Sequence, residues 1–140
     1  MECKVSWMGV EGMSFSAEVG SGHLVNMDGA PEAGGRNLAP RPMELLLAGA
    51  GGCTAFDVVM ILKKARQDIR GCEVKLSATR AEEDPKVFTS IHMTFVVTGK
   101  NLDLNRVQKA VDLSHDKYCS ATIMLEKTAA ITHSIEIKEI

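Results

Sequence analysis

Four cysteines, at positions 3, 53, 72 and 119, are the side chains of this chain best suited to nucleophilic or redox chemistry. A thiolate attacks electrophiles, and two thiols close together cycle through a disulfide. Cys53 sits in Ala48-Gly49-Ala50-Gly51-Gly52-Cys53-Thr54-Ala55, where three glycines crowd one cysteine inside a helical pattern. Each glycine costs a helix interior roughly 1 kcal/mol against alanine, so the cluster needs a reason. Small residues let another backbone approach. Cys119 lies in Tyr118-Cys119-Ser120-Ala121-Thr122, at a break between two helical segments. Ser120 is a candidate N-cap there, and a thiol at a helix start feels the positive end of the dipole, which favours thiolate. His115, four residues earlier, could share that face. The competing readings are plain: free cysteines are often buried packing residues, and Cys3 and Cys72, at strand starts, are read that way.

Other chemistries find little support. There is no C-x-x-C or C-x-x-H spacing, and His23, His92, His115 and His133 are scattered, so nothing asks for a metal. Phosphate-loop, dinucleotide and serine-elbow motifs are missing, and no cofactor is implied. A net charge of −2 without a basic cluster argues against nucleic acid and anionic membranes, and four Phe, one Trp and one Tyr make no stacking platform. The N-terminal MECKVSWMGV lacks the pattern of a signal peptide. The most apolar stretch, Met43 to Leu62, contains Glu44 and Asp57, and acids are expensive in lipid. A cytoplasmic protein is expected, in which thiols stay reduced unless they react.

The elements that must position the cysteines follow from hydrophobic periodicity. Length and composition (140 residues, 45% apolar, 24% charged) fit a single domain over residues 1–140. Short strands are expected around Lys4–Met8, Met13–Val19 and His23–Met27, followed by a loop from Asp28 to Pro42. Pro42 suits the first turn of a helix running to about Arg66 or Ile69. Its apolar residues go almost all the way round, so burial on most sides is expected. A helix of that length spans a compact globule of this size, which a monomer can hardly cover. A homodimer is therefore expected.

Cys72, Val74, Leu76 and Ala78 then alternate with polar residues, and Val87, Ile91, Met93, Phe95 and Val97 share a face, with Asp84-Pro85 in the turn of this hairpin. Asp103 is a good N-cap for a helix whose stripe is Leu104, Val107, Val111 and Tyr118. A short helix over Ile123 to Lys127 and a strand carrying Ile131, His133, Ile135 and Ile137 complete the order β-β-β-α-β-β-α-α-β. The fold class is α+β with a largely antiparallel sheet.

Two segments resemble one family. Pro42-Met43-Glu44-Leu45-Leu46-Leu47-Ala48 with Gly52-Cys53 is similar to the central helix of the OsmC/Ohr hydroperoxide reductases. Asp116-Lys117-Tyr118-Cys119-Ser120 before an apolar helix is similar to their second cysteine segment, and the element order matches over nearly the whole chain. The resemblance implies an OsmC-like fold around a long central helix, in an intertwined homodimer with two sites at the interface. It implies a peroxidatic Cys53, a resolving Cys119, small organic hydroperoxides as substrates and an external dithiol as reductant, in oxidative stress defence.

Departures from the pattern define a divergent branch. In the peroxidases an acid follows the proline directly, whereas here Met43 holds that place and Glu44 comes one later, turned by about 100°. They also carry an arginine early in the chain to pair with the thiolate, and the first 35 residues here contain none. Arg36 and Arg41, in the loop before the helix, are the nearest replacements, with Glu44 as the carboxylate that would orient them. Asp57, one turn after Cys53, has the wrong charge for that purpose. The alternatives are an OsmC-like protein without peroxidase activity that binds small apolar ligands, or another cysteine-dependent enzyme, such as a hydrolase pairing Cys119 with His115.

Overall fold

The structure, a computed structural model, describes all residues 1–140. Contacts divide the chain into two compact units, Met1–Leu47 and Ala48–Ile140.

The first unit is built on a three-stranded antiparallel meander, β1 (Cys3–Trp7), β2 (Phe15–Val19) and β3 (Leu24–Met27), in that spatial order. The sheet leaves large apolar side chains in solvent, among them Val5, Trp7 and Leu24. The expected loop after it is an ordered turn. The Asp28 amide donates to the carbonyl of Pro40, and a short 3-10 turn at Pro31–Ala33 doubles the chain back. Gly35 passes so close to the carbonyl of Gly29 that a Cβ would collide with it.

Helix α1 spans Pro42–Lys64 and passes from the first unit into the second. It stops at Arg66, which takes a left-handed φ of 56°, and the Gln67 amide returns to the carbonyl of Leu62. The expected end near Arg66 holds within two residues and the later one at Ile69 does not, because the stop is made by a non-glycine residue that carries no sequence signal. Within a single chain, burial of the helix is confined to one face. Ala50, Gly51, Thr54, Asp57, Val58 and Leu62 form one buried stripe, while Leu46 (54% exposed) and Phe56 (68%) face outward. By length and apolarity α1 is able to cross a membrane, but Asp57 within it is buried and hydrogen-bonded to Ser114, as in a protein interior.

The second unit has a sheet in the order β4-β5-β6, from β4 (Asp68–Arg80), β5 (Phe88–Lys100) and β6 (Ala130–Glu139). β4 and β5 form the expected hairpin, with Leu76 opposite Met93 and Val74 opposite Phe95. β6 joins the other edge of β5 in parallel, with Ile135 opposite Phe95. A parallel neighbour needs a crossover, and α2 (Leu104–Leu113) and α3 (Ser120–Leu125) supply it. Asp103 caps α2 as expected, accepting from the Asn105 amide at 2.9 Å. The core joins Val58 and Leu62 of α1, Ile91, Met93, Phe95 and Val97 of β5, and Val107 and Val111 of α2.

The expected stripe on α2 holds at Val107 and Val111, which are fully buried, and fails at Leu104 and Tyr118, which are 58% and 49% exposed. Residues Ser114–Tyr118 form a turn of π-helix. Its wider winding breaks the phase that would have put Tyr118 beneath Val111.

Candidate functional site

Cys53 and Cys119 come together. Cys53 is half-buried on α1, Cys119 is fully buried, and the two thiols are close enough for Cys53 to disfavour ionisation of Cys119. Both are free. Two local features bring them there. On α1, Gly51 lies against β4, and a Cβ at that position would come within 2.7 Å of a methyl group of Leu76. On the other side, the π-turn holds Cys119 by a hydrogen bond from its backbone amide to the carbonyl of Ser114 at 2.8 Å.

The cap of α3 is Cys119 itself rather than Ser120: its sulfur accepts from the Thr122 amide at 3.4 Å. That corrects the expected electrostatics as well. Burial pushes the Cys119 thiol up, the Thr122 hydroxyl and amide pull the other way, and the contact with Cys53 pushes it up further. The net direction is upward, so the sulfur keeps its proton at neutral pH.

A buried polar chain runs beside the pair. Thr54 and Ser114 hydroxyls lie 2.8 Å apart, and Ser114 donates to the Asp57 carboxylate at 2.9 Å. Asp57 is thus occupied by Ser114. His115 faces Glu126 at 3.8 Å and the ring of His133 at 5.6 Å between centroids, and His133 in turn lies 3.4 Å from Asp112. The imidazole of His115 is thereby directed to that cluster. Thr54, Ser114 and Thr122 are the residues that sequence reasoning missed. Thr54 and Asp57 did carry a signal, since a spacing of three places both on one helix face.

The other candidate residues belong to the first unit. Glu44 accepts from the backbone amide of Arg41 at 2.9 Å, so its carboxylate closes the first turn of α1 and does not hold the Arg41 guanidinium. The Arg36 guanidinium lies over Gly12, where a Cβ would stand 3.0 Å from Nε. Its amide donates to Asp28, which also accepts from Gly29 and Leu38, at 2.8–3.2 Å. Asp28 is buried. The Leu38 amide above all, then those of Gly29 and Arg36, hold its carboxyl below the usual carboxylate range against the opposing effect of burial.

A groove of about 530 Å³ opens on the outward face of α1, lined by Gly52, Phe56, Val59, Met60, Lys63 and Cys72 among others. It is apolar along its length, with lysines at one end.

The comparisons with known proteins agree on a relationship. The family model described as "OsmC-like protein" matches residues 34–134. Protein YhfA of Escherichia coli (strain K12) is 52% identical over 98% of both chains. The crystal structure of a hypothetical protein from Aquifex aeolicus VF5 superposes with a TM-score of 0.85, at 28% identity over 99% of this chain and 96% of that one. The organic hydroperoxide resistance protein OhrB of Bacillus subtilis shares the fold, with a TM-score of 0.62 at 23% identity over 97% of this chain and 98% of that one. With its α+β fold, its two three-stranded sheets and its long helix, the chain belongs to the OsmC-like protein family.

Proposed function

We propose that this protein is a thiol-dependent peroxidase that reduces organic hydroperoxides through Cys53 and Cys119. The observation that carries the reading is the asymmetric thiol pair: a half-exposed Cys53 in contact with a buried Cys119 that keeps its proton. Family membership supports a peroxide-related redox role. The Cys53 thiolate attacks the terminal peroxide oxygen, the O–O bond breaks, and the alkoxide leaves and takes a proton to become the alcohol. Cys53 is then a sulfenic acid. The Cys119 sulfur attacks it, the S–S bond forms, and water leaves with the Cys119 proton. An external dithiol reduces the disulfide by exchange and is itself oxidised. The working unit in this proposal is a cytoplasmic homodimer. Gly49 and Gly52 point a would-be Cβ into open space, and Phe56 lies bare on the same helix, so a second copy has an apolar face to cover.

The test is consumption of cumene hydroperoxide with dithiothreitol. Wild type turns over, Cys53→Ser loses at least about a thousandfold in rate, and Cys119→Ser accumulates a sulfenic acid that dimedone traps. No consumption by the wild type overturns the proposal. A second reading then stands on the groove beside Gly52: a binder of small apolar ligands that kept the fold without the turnover. Ligand-induced quenching of an apolar fluorescent probe would measure it.

A further inference from the structure

The polar chain beside the thiols links the two segments that carry them. Thr54 adjoins Cys53 in sequence, and Asp57 stands one turn further along α1. Ser114 opens the π-turn whose last bond is the Cys119 amide to the Ser114 carbonyl. Its hydroxyl proton goes to the acceptor-only Asp57 carboxylate. Its oxygen therefore accepts from Thr54, which fixes the direction of that bond. Thr54, Asp57 and Ser114 are all buried, at 2%, 8% and 0% exposure. Three polar side chains in an apolar core carry a desolvation penalty that well-packed alkyl groups would avoid. What the chain supplies in return is direction: one hydroxyl oriented by two bonds to α1, with the Cys119 backbone hung from the same residue.

We propose that Asp57, acting through Ser114, is a positioning residue that sets the approach of Cys119 to Cys53. The proposal rests on the thiol-cycle reading and deepens it. In this view the chain contributes to the effective concentration of the Cys119 thiol at Cys53, and hence to how readily the pair closes into a disulfide. It leaves the attack of Cys53 on peroxide alone.

The test needs no peroxide. The folded protein is equilibrated with glutathione and glutathione disulfide at fixed ratios, and the Cys53–Cys119 disulfide is quantified by peptide mass spectrometry after acid quench. Glutathione disulfide is the oxidant: the two protein thiols lose their protons and two electrons, and two glutathione thiols form. Ser114→Ala is expected to lower the effective concentration of the pair by at least about tenfold, the order supported by one charge-assisted hydrogen bond. Ser114→Thr, which keeps the hydroxyl, should stay within about threefold of wild type, and Asp57→Asn, which keeps an acceptor without its charge, should fall between wild type and Ser114→Ala. A merely structural role predicts lower melting temperatures with unchanged disulfide equilibria below the melt. That result in Ser114→Ala overturns the proposal. If Ser114→Ala does not fold, Asp57→Leu decides, since it removes the acceptor of the Ser114 hydroxyl and nearly keeps the volume: a fall in effective concentration supports the proposal and an unchanged value overturns it. Absence of any Cys53–Cys119 disulfide in the wild type overturns the thiol cycle, and this inference with it.

Discussion

The loop around Asp28 and the cleft around Cys119 both bury an ionisable group, and they treat its charge in opposite ways. Asp28 receives three backbone amides, which hold it ionised in spite of burial. The Cys119 sulfur receives one backbone amide, from Thr122, and burial together with its Cys53 neighbour keeps it protonated. Burial by itself does not decide the charge: the donors facing the group do. The difference suits the two places. A carboxylate tied to backbone donors is scaffolding, since no substitution at positions 29, 36 or 38 short of proline removes those donors. A thiol with few donors stays neutral until its partner sulfur becomes electrophilic.

The contrast breaks most visibly at Asp28. Asp28→Ala leaves three amides of the loop without their acceptor, and unpaired buried donors are among the few causes of large destabilisation. A fall in melting temperature of roughly 10 °C or more is expected by circular dichroism, with Asp28→Asn in between because its carbonyl still accepts. A variant that melts like wild type would show the loop to be held by its turns alone.

Acid sharpens the same point. The folded Asp28 carboxyl lies below its free value, so its contribution to stability is fully present above the unfolded range of about 3.9 and is lost as pH falls through the folded value. Urea midpoints between pH 5 and pH 2.5 should therefore decline in wild type. The decline should be shallower in Asp28→Asn, which has no proton to take up there. Parallel profiles in the two proteins would remove Asp28 as the acid-sensitive group.

These regions also differ in how much the amino-acid sequence revealed. The thiol pair was legible, because a glycine cluster around Cys53 and a helix break at Cys119 are local patterns that match a family. So were the β4–β5 hairpin and the Asp103 cap, whose signals lie within a few residues. The Asp28 cage was not, since backbone amides eight and ten residues away leave no trace in residue type. Neither was the π-turn: it adds one residue to a winding whose period is read from apolar positions, and Tyr118 and Ser120 were misplaced as a result. The exposed half of α1 reads as core because an apolar helix face has the same composition whether it is bare or covered.

Access separates the two cysteines of the cleft in the same terms. Cys53 is half-buried, whereas Cys119 is sealed. Iodoacetamide at neutral pH should modify Cys53 at least about tenfold faster than Cys119, because the latter is both neutral and out of reach. Peptide mapping at timed quenches measures the ratio, and denaturant should bring it near one. Equal rates in the folded protein would mean that the cleft opens faster than the reagent attacks, and the asymmetry on which the thiol cycle depends would be lost.

The smallest expected effect is the alkaline mirror of the acid one. The Cys119 thiol is raised when folded, so unfolding releases a proton once the pH exceeds the free thiol value of about 8.5. The stability that comes from keeping Cys119 neutral is complete below that value and is lost as pH rises through the folded one. Cys72 acts with the same sign, because burial raises it too, so the wild-type decline contains both. The difference between wild type and Cys119→Ser isolates the first, since serine fills much the same space and does not titrate in this range. Urea midpoints between pH 8 and pH 10.5 should converge for the two proteins as wild type loses the Cys119 share. Cys53→Ala should weaken the convergence, because the neighbouring sulfur is part of what holds the Cys119 proton. A wild type and a Cys119→Ser variant that stay equally far apart across the range would show that Cys119 ionises without cost to the fold, and the contrast with Asp28 would then rest on geometry alone.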